Sequence, residues 1–149
     1  MSWDELPIYR GAVSMVDGAF DPLHAGHIAY FQAAARLGTP LLCNIASDRY
    51  VQTKHPVLLP ERQRLTVIDA LRYITVTHLN QHDTETVLEQ LRPVAYIKGL
   101  NWEGRLPIGQ VELCGRLGIR IVYLDTVSES SSRLLRQLGP TRDLPTSVR

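Results

Sequence analysis

Five short apolar runs set the terms on which this chain can fold: GAVSMV from Gly11, PLLCNIA from Pro40, YITVTHL from Tyr73, VAYIKG from Val94 and IRIVYL from Ile119. Each is short enough for a strand, and the stretches between them carry apolar residues at helical spacing. HIAYFQAAARL puts Ile28, Phe31 and Ala35 on one face and meets Gly38 where a helix C-terminal cap belongs. ERQRLTVIDALR follows Pro60, a residue the first helical turn tolerates, and spaces Leu65, Ile68 and Leu71 helically. DTETVLEQL adds a third helix capped by Asp83 or Thr84, IGQVELCGRLG a fourth, and SSSRLLRQL a closing one. Strands that alternate with helices predict a parallel sheet covered on both faces. The expectation is a single doubly wound, Rossmann-like α/β domain with five parallel strands. It spans residues 1–138, and GPTRDLPTSVR, 139–149, reads as a flexible C-terminal tail or an arm on a partner subunit.

A chain of 149 residues with 44% hydrophobic content suffices for one such core. Lys and Arg total 16 against 15 for Asp and Glu, so no broad field draws nucleic acid or an anionic membrane, and any anion must be held locally. No apolar run approaches the roughly 20 residues of a membrane span, and the start lacks a basic segment followed by an apolar one. The chain therefore reads as cytoplasmic. Cys43 and Cys114 sit in a strand and a helix without C-x-x-C spacing, and read as small core hydrophobes.

The turn after the first strand, DGAFDPLHAGH over Asp17–His27, carries more than a turn requires. In doubly wound sheets ligands bind at the carboxyl ends of the strands, where strand order reverses. Gly18 admits a ligand close to the backbone, and Gly26 tightens the chain as a helix begins, where unpaired amides and the helix dipole favour an anion. His24 and His27 can aim N–H groups at phosphate oxygens. A zinc site would need a third ligand and another spacing, and the G-x-G-x-x-G of dinucleotide-binding enzymes is absent from this turn.

The positions Gly18, Phe20, Asp21, His24, Gly26 and His27 resemble the G-x-F-D-x-x-H-x-G-H signature of the cytidylyltransferase-like nucleotidyltransferases. The resemblance covers roughly Val13 to Leu138 and brings further expectations. His24, His27 and Lys54 are the implied catalytic residues. Gly18, Ala19, Phe20, Asp21 and Gly26 of the first turn, together with Arg64 in a P-x-x-x-R arrangement with Pro60, are implied to bind nucleotide. Lys98 and Gly99 look like the K-G of family members that act on heptose phosphates. Asn101, Trp102, Glu103 and Gly104 look like the D-W-E-G of members that act on glycerol 3-phosphate; Lys98, Asn101 and Trp102 are thus candidate nucleotide contacts. Ser130, Ser131 and Ser132 stand where the family presents hydroxyls to phosphate, and Arg72 is a candidate for acceptor binding or an interface.

The implied reaction is attack of a substrate phosphate on the α-phosphorus of a nucleoside triphosphate, releasing pyrophosphate. A phosphate monoester has its second pKa near ~6, so the nucleophile is ionised at neutral pH and needs no general base. CTP is the expected donor ahead of ATP, the acceptor a small phosphorylated alcohol or sugar, and Mg2+ the expected metal, held by nucleotide phosphates rather than by protein ligands. A homodimer without nucleic-acid or membrane partners completes the expectation. The alternative is a nucleotide-binding module of the same fold that has lost turnover: the arginine of the cytidylyl-type R-T-x-G-I-S-T is missing, and Glu129 precedes the serines.

Overall fold

The computed structural model describes residues 1–126. The expected closing helix, Ser130 to Ser132 and the 139–149 tail lie outside the described residues. Five strands, β1 (Ser14–Gly18), β2 (Leu41–Ala46), β3 (Val76–Asn80), β4 (Ala95–Gly99) and β5 (Arg120–Leu124), form one sheet in the order β3-β2-β1-β4-β5. All four pairings are parallel, as the apolar runs predict. Strand order reverses at β1, which lies between β2 and β4; the carboxyl ends of β1 and β4 therefore flank the switch-point crevice of this topology.

Side chains of successive strand residues leave opposite faces of the sheet, and each face gathers its own core. Val16, Cys43 and Ile97 pack with Phe31 and Ala34 of α1 (Ala25–Ala35) and Ile68 of α3 (Glu61–Asp69). Their neighbours Met15, Leu42 and Tyr96 face the other way, against Val87, Leu88 and Leu91 of α4 (Thr84–Leu91) and Leu113 and Cys114 of α5 (Ile108–Leu117). Both cysteines are buried and unbonded, each part of a core.

The helix ends follow their sequences. Asp83 is the N-cap of α4, its carboxylate accepting from Thr86 N at 2.7 Å. Gly118 closes α5 in the left-handed region at φ 70°, where a side chain would be strained. Two elements go beyond the sequence reading. The loop expected over Ser47–Leu59 contains a single helical turn, α2 (Asp48–Val51), capped by Ser47. A 3-10 helix at Trp3–Tyr9 buries Leu6 in the α4/α5 core.

Candidate active site

Two adjoining clefts meet at the carboxyl end of β1, beside a third of about 570 Å3 at the ends of β2 and β3. The larger of the two, of about 380 Å3, is lined by the ends of β1 and β2, by α2, and by the segment from Trp102 to Gln110. The smaller, of about 170 Å3, runs from Phe20, His27 and Tyr30 to Lys98, Asn101 and Trp102. Asp17, Gly18, Ala19, Lys98 and Trp102 line both. The first-turn motif, the K-G pair and the tryptophan are thus brought together by the crossing of β1 and β4.

The two histidines build the entrance of α1 by reciprocal capping. Gly26 N–H donates to His24 Nδ1 at 3.1 Å, and His24 N–H donates to His27 Nδ1 at 3.2 Å. A ring nitrogen that accepts from an amide carries no proton, so each neutral ring holds its proton on Nε2. The rings stack at 3.8 Å between centroids, and Phe20 meets His27 edge to face at 5.1 Å. Burial, and then the neighbouring His24, push the His27 pKa down from 6.5 to about 3. At neutral pH His27 is an uncharged N–H donor lining the smaller cleft.

The helix entrance is more occupied than the sequence suggests, because the Gly26 amide that reads as open to phosphate ends on His24. Gly18 also owes its size to another cause. A Cβ there would lie 3.0 Å from Phe20 Cζ, so the glycine admits the ring of Phe20, whose own backbone sits at φ 53°. Gly18 still lines both clefts.

Two expected nucleotide contacts take structural positions instead. Asp21 is fully buried, and its two carboxylate oxygens accept from the amides of Leu58 and Leu59, each at 2.8 Å. Arg64 is 1% exposed. Its guanidinium donates to the carbonyls of Leu59 (2.9 Å), Ala19 (2.7 Å) and Ala46 (2.8 Å) and pairs with Asp48 at 2.7 Å. With four of its five N–H donors engaged inside the protein, Arg64 fixes the first turn to the end of β2. Arg72 is exposed, its guanidinium 5.9 Å from the ring of Tyr73. It precedes the amino end of β3, opposite the carboxyl edge that carries the clefts of the same chain.

The cationic residues meet at Trp102. Lys98 Nζ lies 4.4 Å from its ring centroid and Lys54 Nζ 5.9 Å, with Lys54 also 5.1 Å from Tyr50. Lys98 is 7% exposed and pairs at 2.7 Å with Asp17. Asp17 also accepts from the Tyr96 hydroxyl at 2.9 Å. Burial, and then the Asp17 charge, push the Tyr96 pKa far up, so this hydroxyl keeps its proton.

Asp17, Asn44, Tyr50, Asn80, Arg105 and Gln110 line the larger cleft, and none was singled out from sequence. The signal for Asn44, Asn80 and Lys98 is a polar residue interrupting an apolar run near the carboxyl end of its strand. No group of three or more His, Cys, Asp or Glu among the described residues could hold a metal ion. Among the described residues the one carboxylate of the cleft, Asp17, is committed to Lys98 and Tyr96, so these residues do not form a metal cage. No helix among the described residues is long and apolar enough to cross a membrane.

A five-stranded parallel sheet with the G-x-F-D-x-x-H-x-G-H turn at its switch point defines the nucleotidyltransferase class expected from the sequence. The cytidylyltransferase-like family model matches residues 15–111, and the chain belongs to that family. It is 36% identical over 133 residues to the bifunctional protein HldE of Streptomyces coelicolor, covering 85% of this chain and 28% of that one. It is 34% identical over 133 residues to the FAD synthase of Methanosphaerula palustris, covering 84% of this chain and 86% of that one. The chain spans about a quarter of the length of the bifunctional relatives it matches. The solved lipopolysaccharide core biosynthesis protein of Thermoplasma volcanium shares the fold with a TM-score of 0.66, at 24% identity, covering 76% of this chain and 96% of that one.

Proposed function

We propose that the chain transfers a nucleotidyl group from a nucleoside triphosphate to a small phosphorylated alcohol or sugar, releasing pyrophosphate. The observation that carries this reading is the meeting of His27, Lys98 and Trp102 at the switch-point clefts. The acceptor phosphate attacks the α-phosphorus, the bond to the bridging oxygen breaks, and pyrophosphate leaves with the electron pair. Alignment and charge neutralisation suffice, since the nucleophile is ionised already.

His27 donates from Nε2 to a phosphate oxygen and strengthens that bond as charge builds, while His24 holds the ring by stacking and capping. Lys54 and Lys98 neutralise the triphosphate, and Asp17 orients Lys98. Trp102 and Asn101 wall the smaller cleft on the side of the base. Magnesium bound by the nucleotide phosphates would add charge neutralisation.

The donor order here is ATP ahead of CTP, the reverse of the expectation from sequence alone. A relative that matches over 86% of its own length is named FAD synthase, a name that describes making an adenine dinucleotide. Pyrophosphate release is measured with each of the four nucleoside triphosphates against hexose 1-phosphates, glycerol 3-phosphate and flavin mononucleotide. Release with ATP and one phosphorylated acceptor is the expected result. Nucleotide binding without release on any pair contradicts turnover and leaves a binding module.

A further inference from the structure

Asn44 is 1% exposed, yet its side chain forms part of the floor of the larger cleft. It stands at the carboxyl end of β2, in register with Asp17 of β1 and His78 of β3. Its Oδ1 is buried and accepts no hydrogen bond. A buried acceptor left unpaired costs about 1–3 kcal/mol, so it marks a place where a ligand donor fits. Two further carboxamides border it, both 8% exposed, Asn80 and Gln110. Asn80 Oδ1 is taken by the amide of His82 at 2.9 Å, and Gln110 Oε1 lies 3.2 Å from the Tyr96 hydroxyl. Asn80 therefore has its carbonyl end occupied and its amide hydrogens left to give, while the one proton of the Tyr96 hydroxyl goes to Asp17, the shorter contact. The floor thus combines the unpaired acceptor of Asn44 with the neutral donor of Asn80, and the cations Lys54 and Arg105 stand at the same cleft.

A hydroxyl both donates and accepts, and matches this set; an ammonium or guanidinium ligand is repelled by the lysines, and an apolar ring has no use for a polar floor. We propose that Asn44 Oδ1 accepts a hydrogen bond from a hydroxyl of the acceptor substrate, making Asn44 a specificity-determining residue and the acceptor a polyol or sugar phosphate. This rests on reading the clefts as a nucleotidyl-transfer site. The acceptor phosphate lies toward Lys54 and Arg105, and its hydroxylated carbons cover Asn44.

The test uses Asn44→Ala on the full chain, with hexose 1-phosphates, glycerol 3-phosphate, their deoxy analogues and flavin mononucleotide as probes. The variant raises KM for the preferred hydroxylated acceptor by about tenfold, the loss of one well-placed hydrogen bond. Removing the matching hydroxyl from the substrate costs the wild type a similar factor and costs Asn44→Ala nothing. Nucleotide affinity, read by calorimetry with ATP, is the same in both proteins. An equal KM for both proteins, or an undiminished penalty for the deoxy analogue in the variant, overturns the assignment of Asn44. Failure of the wild type to bind any nucleotide overturns instead the transfer reading beneath it.

Discussion

His27 carries the residue-scale claim. Two neighbours fix it, Phe20 at its edge and His24 on its face, and the His24 amide holds its Nδ1. The ring therefore arrives at the cleft neutral and aimed, which is what a donor to a developing charge requires. Replacing it with alanine should lower turnover on the order of 100-fold, by analogy with losing one oxyanion donor, while circular dichroism and nucleotide-free melting show an intact fold. Unchanged pyrophosphate release would refute the role.

The depressed His27 pKa ties stability to pH. Between the ordinary value of 6.5 and about 3 the unfolded chain takes up a proton at His27 that the folded chain refuses. The His27 contribution to stability is thus whole above pH 6.5 and is lost as pH falls toward 3. Long-range 15N spectra at pH 6 should show a neutral ring protonated at Nε2. A charged ring at that pH contradicts the reading.

At the scale of elements, a clamp of Asp21 and Arg64 joins the first turn, the end of β2 and the segment entering α3. Both were legible as part of a motif, but sequence could not say which way their side chains point. Buried as they are, both brace the turn. Arg64→Ala removes a buried cation from three carbonyls and leaves Asp48 without its partner, a loss of about 3–5 kcal/mol. Chemical denaturation measures it directly. A small stability change together with a large loss of nucleotide affinity would restore Arg64 as a phosphate ligand.

The five strands were legible because parallel strands buried on both faces read as continuous apolar runs. The α2 turn was not, since four residues give no helical period, and the Trp3–Tyr9 turn hides behind Pro7. Asp17, Asn44, Asn80 and Gln110 escaped for a different reason. Each is a single polar residue in an apolar or amphipathic stretch, and only the strand register and the packing of α5 bring them to one cleft.

For the whole molecule, the sheet order is what turns separate motifs into a site. β1 pairs with β4 across 81 residues of chain, which is how Asp17 reaches Lys98 at 2.7 Å. Asp17→Asn removes the charge that orients Lys98 and should weaken nucleotide binding while sparing a melting temperature measured without ligand less than Arg64→Ala does. Titration of the isotopically labelled protein with ATP and magnesium, followed by NMR, tests directly whether nucleotide binds at the switch-point clefts. Saturable shifts are expected at the His27 ring and at the amides of Gly18, Lys98 and Trp102. Saturable binding that leaves those four groups unmoved, with its shifts confined to another face of the sheet, would contradict binding there.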